Sequence, residues 1–162
     1  MNIWELIAHH EQFEEAAIEM RRRHLIAIGW SNTGDLRDHA PAGPSDIGDL
    51  IKAHHPDATN AAQGGPSLWN LYREMDLGDL VIVAAGGQRR FVMEVAGDYF
   101  HAMEADGVLG YRHQRVATLT SLDAERLWQD VGAQVAEGQN HMWTLARCTL
   151  RESSHTAELF EG

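Results

Sequence analysis

The chain has 162 residues, 44% of them apolar, and a formal net charge of −11. That length suits one domain with a sizeable core, and a mean hydropathy of −0.35 with no apolar run of about 18 residues argues against a membrane span. The acidity argues against a protein that coats nucleic acid non-specifically, because phosphate contacts supply most of that affinity. Residues 79–120, which carry Arg89, Arg90, Arg112 and Arg115, are nevertheless close to neutral and leave room for one local basic surface.

In chain order, residues 2–23 read as a helix: Trp4, Ile7, Phe13, Ala17 and Met20 form an apolar stripe, and Arg21-Arg22-Arg23 suits its C-terminal dipole. Leu25 to Trp30 is an apolar run expected as a buried strand, and Asn32-Thr33-Gly34-Asp35 is turn chemistry. Ser45 is expected to cap a short helix ending near His54, before Pro56. Gly64-Gly65-Pro66 reads as a break, and Ser67 as the cap of a further turn or two carrying Trp69 and Tyr72. Leu80–Ala85, Gly86-Gly87 and Phe91–Ala96 form a hairpin signal. Residues 111–120 read as another strand, residues 123–137 as a helix capped by Ser121, and residues 142–150 as a closing strand with Trp143 in the core. The organisation expected is a single domain, 1–162, with an N-terminal helix at 1–23, a core at 24–150 and a flexible acidic tail at 151–162.

A tryptophan ending an apolar strand is either core or the wall of a ligand pocket. Trp30 with Ser31, and Trp69 with Asn70, each pair a large ring with a small polar group, and together they suggest a cage for a flat ligand. Packing alone would account for either tryptophan, and a local cap for Asn70. Gly78-Asp79 reads most simply as a turn that starts a strand, whereas Tyr99 supplies a ring and a hydroxyl at the open end of the hairpin. Arg112, His113 and Arg115 make one basic stretch, although arginines on a strand are commonly just solvated. The ten histidines include the pairs His9-His10 and His54-His55. No His-Glu-x-x-His or Cys-x-x-Cys spacing accompanies them, so no metal and no cofactor is expected. Cys148 is the sole cysteine, which leaves neither an internal disulfide nor a thiolate cluster, and no nucleophile elbow or phosphate-binding loop occurs. The expected class is a non-enzymatic binding module. The Met1-Asn2-Ile3-Trp4-Glu5 start lacks a basic region and an apolar signal core, so a cytoplasmic location is expected.

Read together, Ile26-Ala27-Ile28-Gly29-Trp30, Gly34-Asp35-Leu36, Trp69, Gly78-Asp79-Leu80-Val81-Ile82, Glu94-Val95, Gly97-Asp98-Tyr99 and Tyr111-x-His113-x-Arg115-Val116 make a recognisable order. This order resembles the PUA-like superfamily, in particular the EVE- and YTH-like modules at the N-termini of Mrr- and McrB-type restriction proteins. The resemblance implies an α+β fold with a curved mixed sheet or open barrel and flanking helices. It also implies an aromatic cage that encloses a modified, most simply methylated, base of DNA or RNA. Trp30, Ser31, Trp69, Asn70 and Tyr99 would bind the base, and Arg89, Arg90, Arg112 and Arg115 the backbone. A separate effector protein would then act on the bound site, since no nuclease or motor segment accompanies the module. The other class left open is a small-molecule or protein-interaction domain on the same fold, which the acidity favours; an RNA or nucleoside hydrolase is a weaker third.

Overall fold

Six strands form one mixed sheet in the computed structural model, which describes residues 1–9 and 11–149. They are β1 (Ile3–Ala8), β2 (Leu25–Ile28), β3 (Leu80–Ala85), β4 (Gln88–His101), β5 (His113–Leu119) and β6 (Leu145–Arg147). The helices are α1 (Phe13–Arg23), α2 (Leu36–His39), α3 (Pro44–His54), α4 (Ala61–Trp69) and α5 (Ala124–Asp130), and a π-helical turn at Asn70–Glu74 continues α4. The sheet order is β2-β5-β4-β3-β1-β6; β1 and β3 run parallel and every other neighbouring pair is antiparallel. The α+β class holds, while the sheet stays open, with β2 and β6 as its edges. The expected tail, 151–162, lies outside the described residues.

Strand alternation sorts the core onto two faces. Trp4, Leu6, Val81, Val83 and Met93 point to the side covered by α1, α3 and α4. Ile3, Leu80, Ile82 and Val92 point to the other side, where α5 seals them with Leu127 and Trp128. Residues 2–23 therefore do not form one helix. Ile3-Trp4-Glu5-Leu6 is buried on both faces beside parallel β3, with Glu5 paired to Arg89, so it lacks the apolar/polar alternation that marks a half-exposed strand. Asp79 locks this arrangement. Its carboxylate accepts hydrogen bonds from the backbone N–H of Asn2 and Asp76 and from Nε1–H of Trp4, each at 2.9 Å.

Several boundaries are corrected. Gly64-Gly65-Pro66 does not break the chain but lies inside α4. A Cβ on Gly65 would sit 2.6 Å from the Pro44 carbonyl oxygen, so the glycine lets α4 lie against α3, and this packing prevails over helix propensity. Ser67 is consequently no cap; its hydroxyl donates to the Gln63 carbonyl. Pro44 at the first position opens α3 in place of a Ser45 cap. Asp123 caps α5, accepting from the Arg126 N–H, and the helix ends at Asp130. The hairpin is as expected, but β4 continues to His101 through an irregularity between Val95 and Tyr99. The last strand is only Leu145–Arg147, so Trp143 precedes it and is half-buried, whereas Trp4 is the core tryptophan.

Candidate ligand cavity between Trp30 and Tyr111

The apolar strand β2 ends at Ile28, and Trp30 follows with left-handed backbone at φ 60°. Its ring lies against α4, where a Cβ on Gly64 would come within 2.8 Å of Cε2, and its Nε1–H donates to Asn60 Oδ1 at 3.2 Å. Tyr111 approaches from the loop before β5, its ring settled on Gly29, where a Cβ would be 3.0 Å from Cε1. Trp30 and Tyr111, with His9, Asn60, Gln63 and Thr144, line a cavity of about 330 Å³. Ser31 sets the two rings in register: its hydroxyl donates to the Gly110 carbonyl at 2.6 Å and accepts from the Arg112 N–H at 3.0 Å.

Four histidines from separate places in the fold fix the backbone that presents Trp30. His113 Nε2–H donates to the Trp30 carbonyl at 3.1 Å, and His101 Nε2–H to the Ser31 carbonyl at 3.0 Å. His55 Nε2 accepts from the Asn32 N–H at 3.2 Å, and His39 Nε2–H donates to the Thr33 carbonyl at 3.0 Å. A carbonyl only accepts, which sets the His113 tautomer; its Nδ1 therefore accepts from the Tyr99 hydroxyl at 2.7 Å. That hydroxyl in turn accepts from the Leu36 N–H at 3.2 Å. Burial lowers the His113 pKa to about 4, so the ring is neutral at ordinary pH. The same cause raises the pKa of Tyr99.

Among the described residues no carboxylate, lysine or arginine lines this cavity. Burial lowers the pKa of His9 as well, which favours its neutral form. Two aromatic rings with amide, hydroxyl and imidazole groups suit a flat, neutral ligand that offers hydrogen-bonding edges.

The structure regroups the residues expected at the site. Trp30 is there, and Tyr111, His9, Asn60 and Gln63 join it; Ser31 does not line the cavity but ties its loop to Gly110 and Arg112. Trp69 lines a different cavity, so the two tryptophans do not face each other across one cage. Asn70 is buried, and its amide donates to the Leu145 carbonyl and to Gln139 Oε1. Tyr99 is 4% exposed and stands behind the loop as part of the histidine network. The arginines do not converge either. Arg89 pairs with Glu5 at 3.0 Å and lies 4.1 Å over the Trp128 ring, while Arg90 pairs with Glu14. Both start β4, whereas Arg112 adjoins its far end, bonded to the Ala102 carbonyl. Arg115 is 4% exposed and donates to the Met75 carbonyl.

Tyr111 appeared in the sequence within a motif, but nothing in its spacing placed it beside Trp30. The histidines invited a metal reading; among the described residues no group of them with acidic or thiol partners could hold an ion. Cys148 is buried, which pushes its thiol up to about 12. No described helix is long and apolar enough to cross a membrane.

Residues 4–124 match the model of a family described as a domain of unknown function, DUF8426. Among curated proteins none matches the chain. Of the described residues lining the Trp30 cavity, only Thr144 falls outside the matched segment.

Proposed function

Starting from a chain that belongs to the DUF8426 family, we propose that it is a PUA-like binding module that takes a modified, most simply methylated, nucleobase of DNA or RNA between Trp30 and Tyr111. The observation that carries this reading is the uncharged, two-ringed cavity of about 330 Å³ with Asn60 and Gln63 on its wall. Its size and neutrality suit one extruded base and not the phosphates on either side. Stacking on aromatic side chains is worth about 1–3 kcal/mol per base, and each methyl buried in an apolar wall adds about 0.8 kcal/mol. Neither contribution needs a basic protein. Asn60 Oδ1 accepts from Trp30, which leaves its amide N–H groups and the Gln63 amide to read the base edge.

A second reading has its own support: a free base, nucleoside or similar planar small molecule in the same cavity. Arg89, Arg90 and Arg115 are engaged within the protein, and the net charge is −11, so little is left to hold a polynucleotide backbone. One calorimetric experiment separates the two. Oligonucleotides with and without a methylated base are titrated at low salt beside the corresponding free nucleosides. The reader requires the modified oligonucleotide to bind more tightly than its unmodified partner, with Trp30→Ala abolishing the difference. Binding of free nucleosides alone selects the second reading, and no binding to folded protein overturns both.

A further inference from the structure

The second cavity, of about 340 Å³, draws on three of the chain's five tryptophans, Trp4, Trp69 and Trp143, flanked by Pro44 and Pro66. Its walls come from distant segments held together by Asn70, whose amide donates to the Leu145 carbonyl at 2.9 Å and to Gln139 Oε1 at 3.0 Å. Gln139 Oε1 also accepts from the Arg147 N–H, which fixes β6 beside the π turn. That turn brings residues five apart onto one side, and Trp69 Nε1–H donates to Glu74 Oε1 at 3.0 Å. Short π-helical turns are frequent at functional sites. Neither Asn70 nor the turn serves the Trp30 cavity.

Glu74 and Arg147 both line the cavity, yet among the described residues neither forms an ion pair with the other or with a third group. An unpaired carboxylate and an unpaired guanidinium on the wall of one tryptophan-lined cavity suit a ligand that carries both signs of charge. Tryptophan faces attract cations, most strongly those with apolar surface such as N-methylated ammonium groups. Glu74, fixed on the edge of Trp69, supplies a counter-charge for that end, and Arg147 can take a carboxylate by a forked pair of hydrogen bonds. We propose that this cavity binds a small zwitterion with an N-methylated ammonium and a carboxylate, independently of the Trp30 site.

Glycine betaine is the probe, with tetramethylammonium and acetate as its two halves, titrated calorimetrically into the full chain. Saturable binding of glycine betaine is expected, with tetramethylammonium weaker and acetate weaker still. Arg147→Gln should cost glycine betaine about tenfold, the size of one good charged contact, and leave tetramethylammonium unchanged. Glu74→Gln keeps an acceptor for Trp69 and should weaken both ligands by about as much. Trp143→Ala should abolish binding, with circular dichroism reporting whether the variant is folded; the two charge variants carry the test if it is not. Trp30→Ala should change nothing here, which separates this site from the base reading. The proposal is overturned if glycine betaine shows no saturable heat, if Arg147→Gln weakens both ligands equally or neither, or if Trp30→Ala removes the binding.

Discussion

The five tryptophans do different work, and their surroundings say what each substitution should do. Trp4 is 1% exposed and bonded to the buried carboxylate of Asp79, so Trp4→Ala leaves a cavity and an acceptor without its donor. Chemical denaturation should show a loss of about 3–5 kcal/mol or more. Trp30 is only partly buried, with one edge against α4, so Trp30→Ala should cost clearly less while abolishing ligand binding. Equal losses would make Trp30 a packing residue. His113 gives a pH signature. Its folded pKa, about 4, lies below the unfolded value of about 6.5, so between these values the unfolded chain binds more protons. The contribution is complete above about pH 6.5 and declines as the pH falls toward 4, by ~3 kcal/mol at the limit. Glu5, with its pKa raised by burial, acts in the opposite sense. Urea melts at pH 7 and pH 5 should therefore be compared between the wild type and His113→Gln, which should lose much of the pH dependence. An unchanged dependence would place the titration elsewhere. Trp30 was legible in the sequence as a candidate cavity residue because it ends an apolar strand, whereas the similar pairing of Trp69 with Asn70 falls at a different cavity. The histidine roles were not, because three of the four rings meet the loop from far away in sequence and only the fold brings them to consecutive residues.

At the scale of elements, the hairpin, β2, β5 and α3 could be read from the sequence because their periodicity and turn residues agree. β1 could not, since burial on both faces removes the alternation that marks a strand. α4 failed for a different reason: its glycines look like a break and are in fact close-approach points for α3 and for the Trp30 ring. That gives a test of how α4 sets the cavity. An added methyl at Gly64 would lie 2.6 Å from Ile51 Cδ1 and 2.8 Å from Trp30 Cε2. Gly64→Ala should destabilise by about 1–3 kcal/mol through overpacking, despite the better helix propensity of alanine. It should also weaken ligand binding, because the Trp30 ring must move. Gly43→Ala is the control: its backbone is extended, and an added Cβ meets nothing within 4 Å. If Gly64→Ala proves as stable as Gly43→Ala and binds normally, α4 does not position Trp30.

At the scale of the whole molecule, the question is how an acidic protein could hold a nucleic acid. Composition allowed four arginines near one another, but the long strand β4 separates Arg89 and Arg90 from Arg112, and all four are engaged internally, Arg112 through its Nε–H to the Ala102 carbonyl. Sequence distance along a strand is also spatial distance, at about 3.3 Å per residue, so a stretch that is nearly neutral on paper need not become a patch. Only Arg112, next to Tyr111 in sequence, remains close to the Trp30 cavity. The consequence is measurable. Each phosphate neutralised contributes about −0.7 to −0.9 to the slope of log K against log salt. Binding of a modified single-stranded oligonucleotide should therefore show a slope of about −1, with Arg112→Gln flattening it toward zero and Arg89→Gln leaving it unchanged. On the proposed reading, the preference for the modified base should survive both substitutions, since it would reside in the stacking and in the amides of Asn60 and Gln63. A slope steeper than about −2 would require a second basic contact surface beyond Arg112. It would also shift the main source of affinity from the cavity to the phosphates.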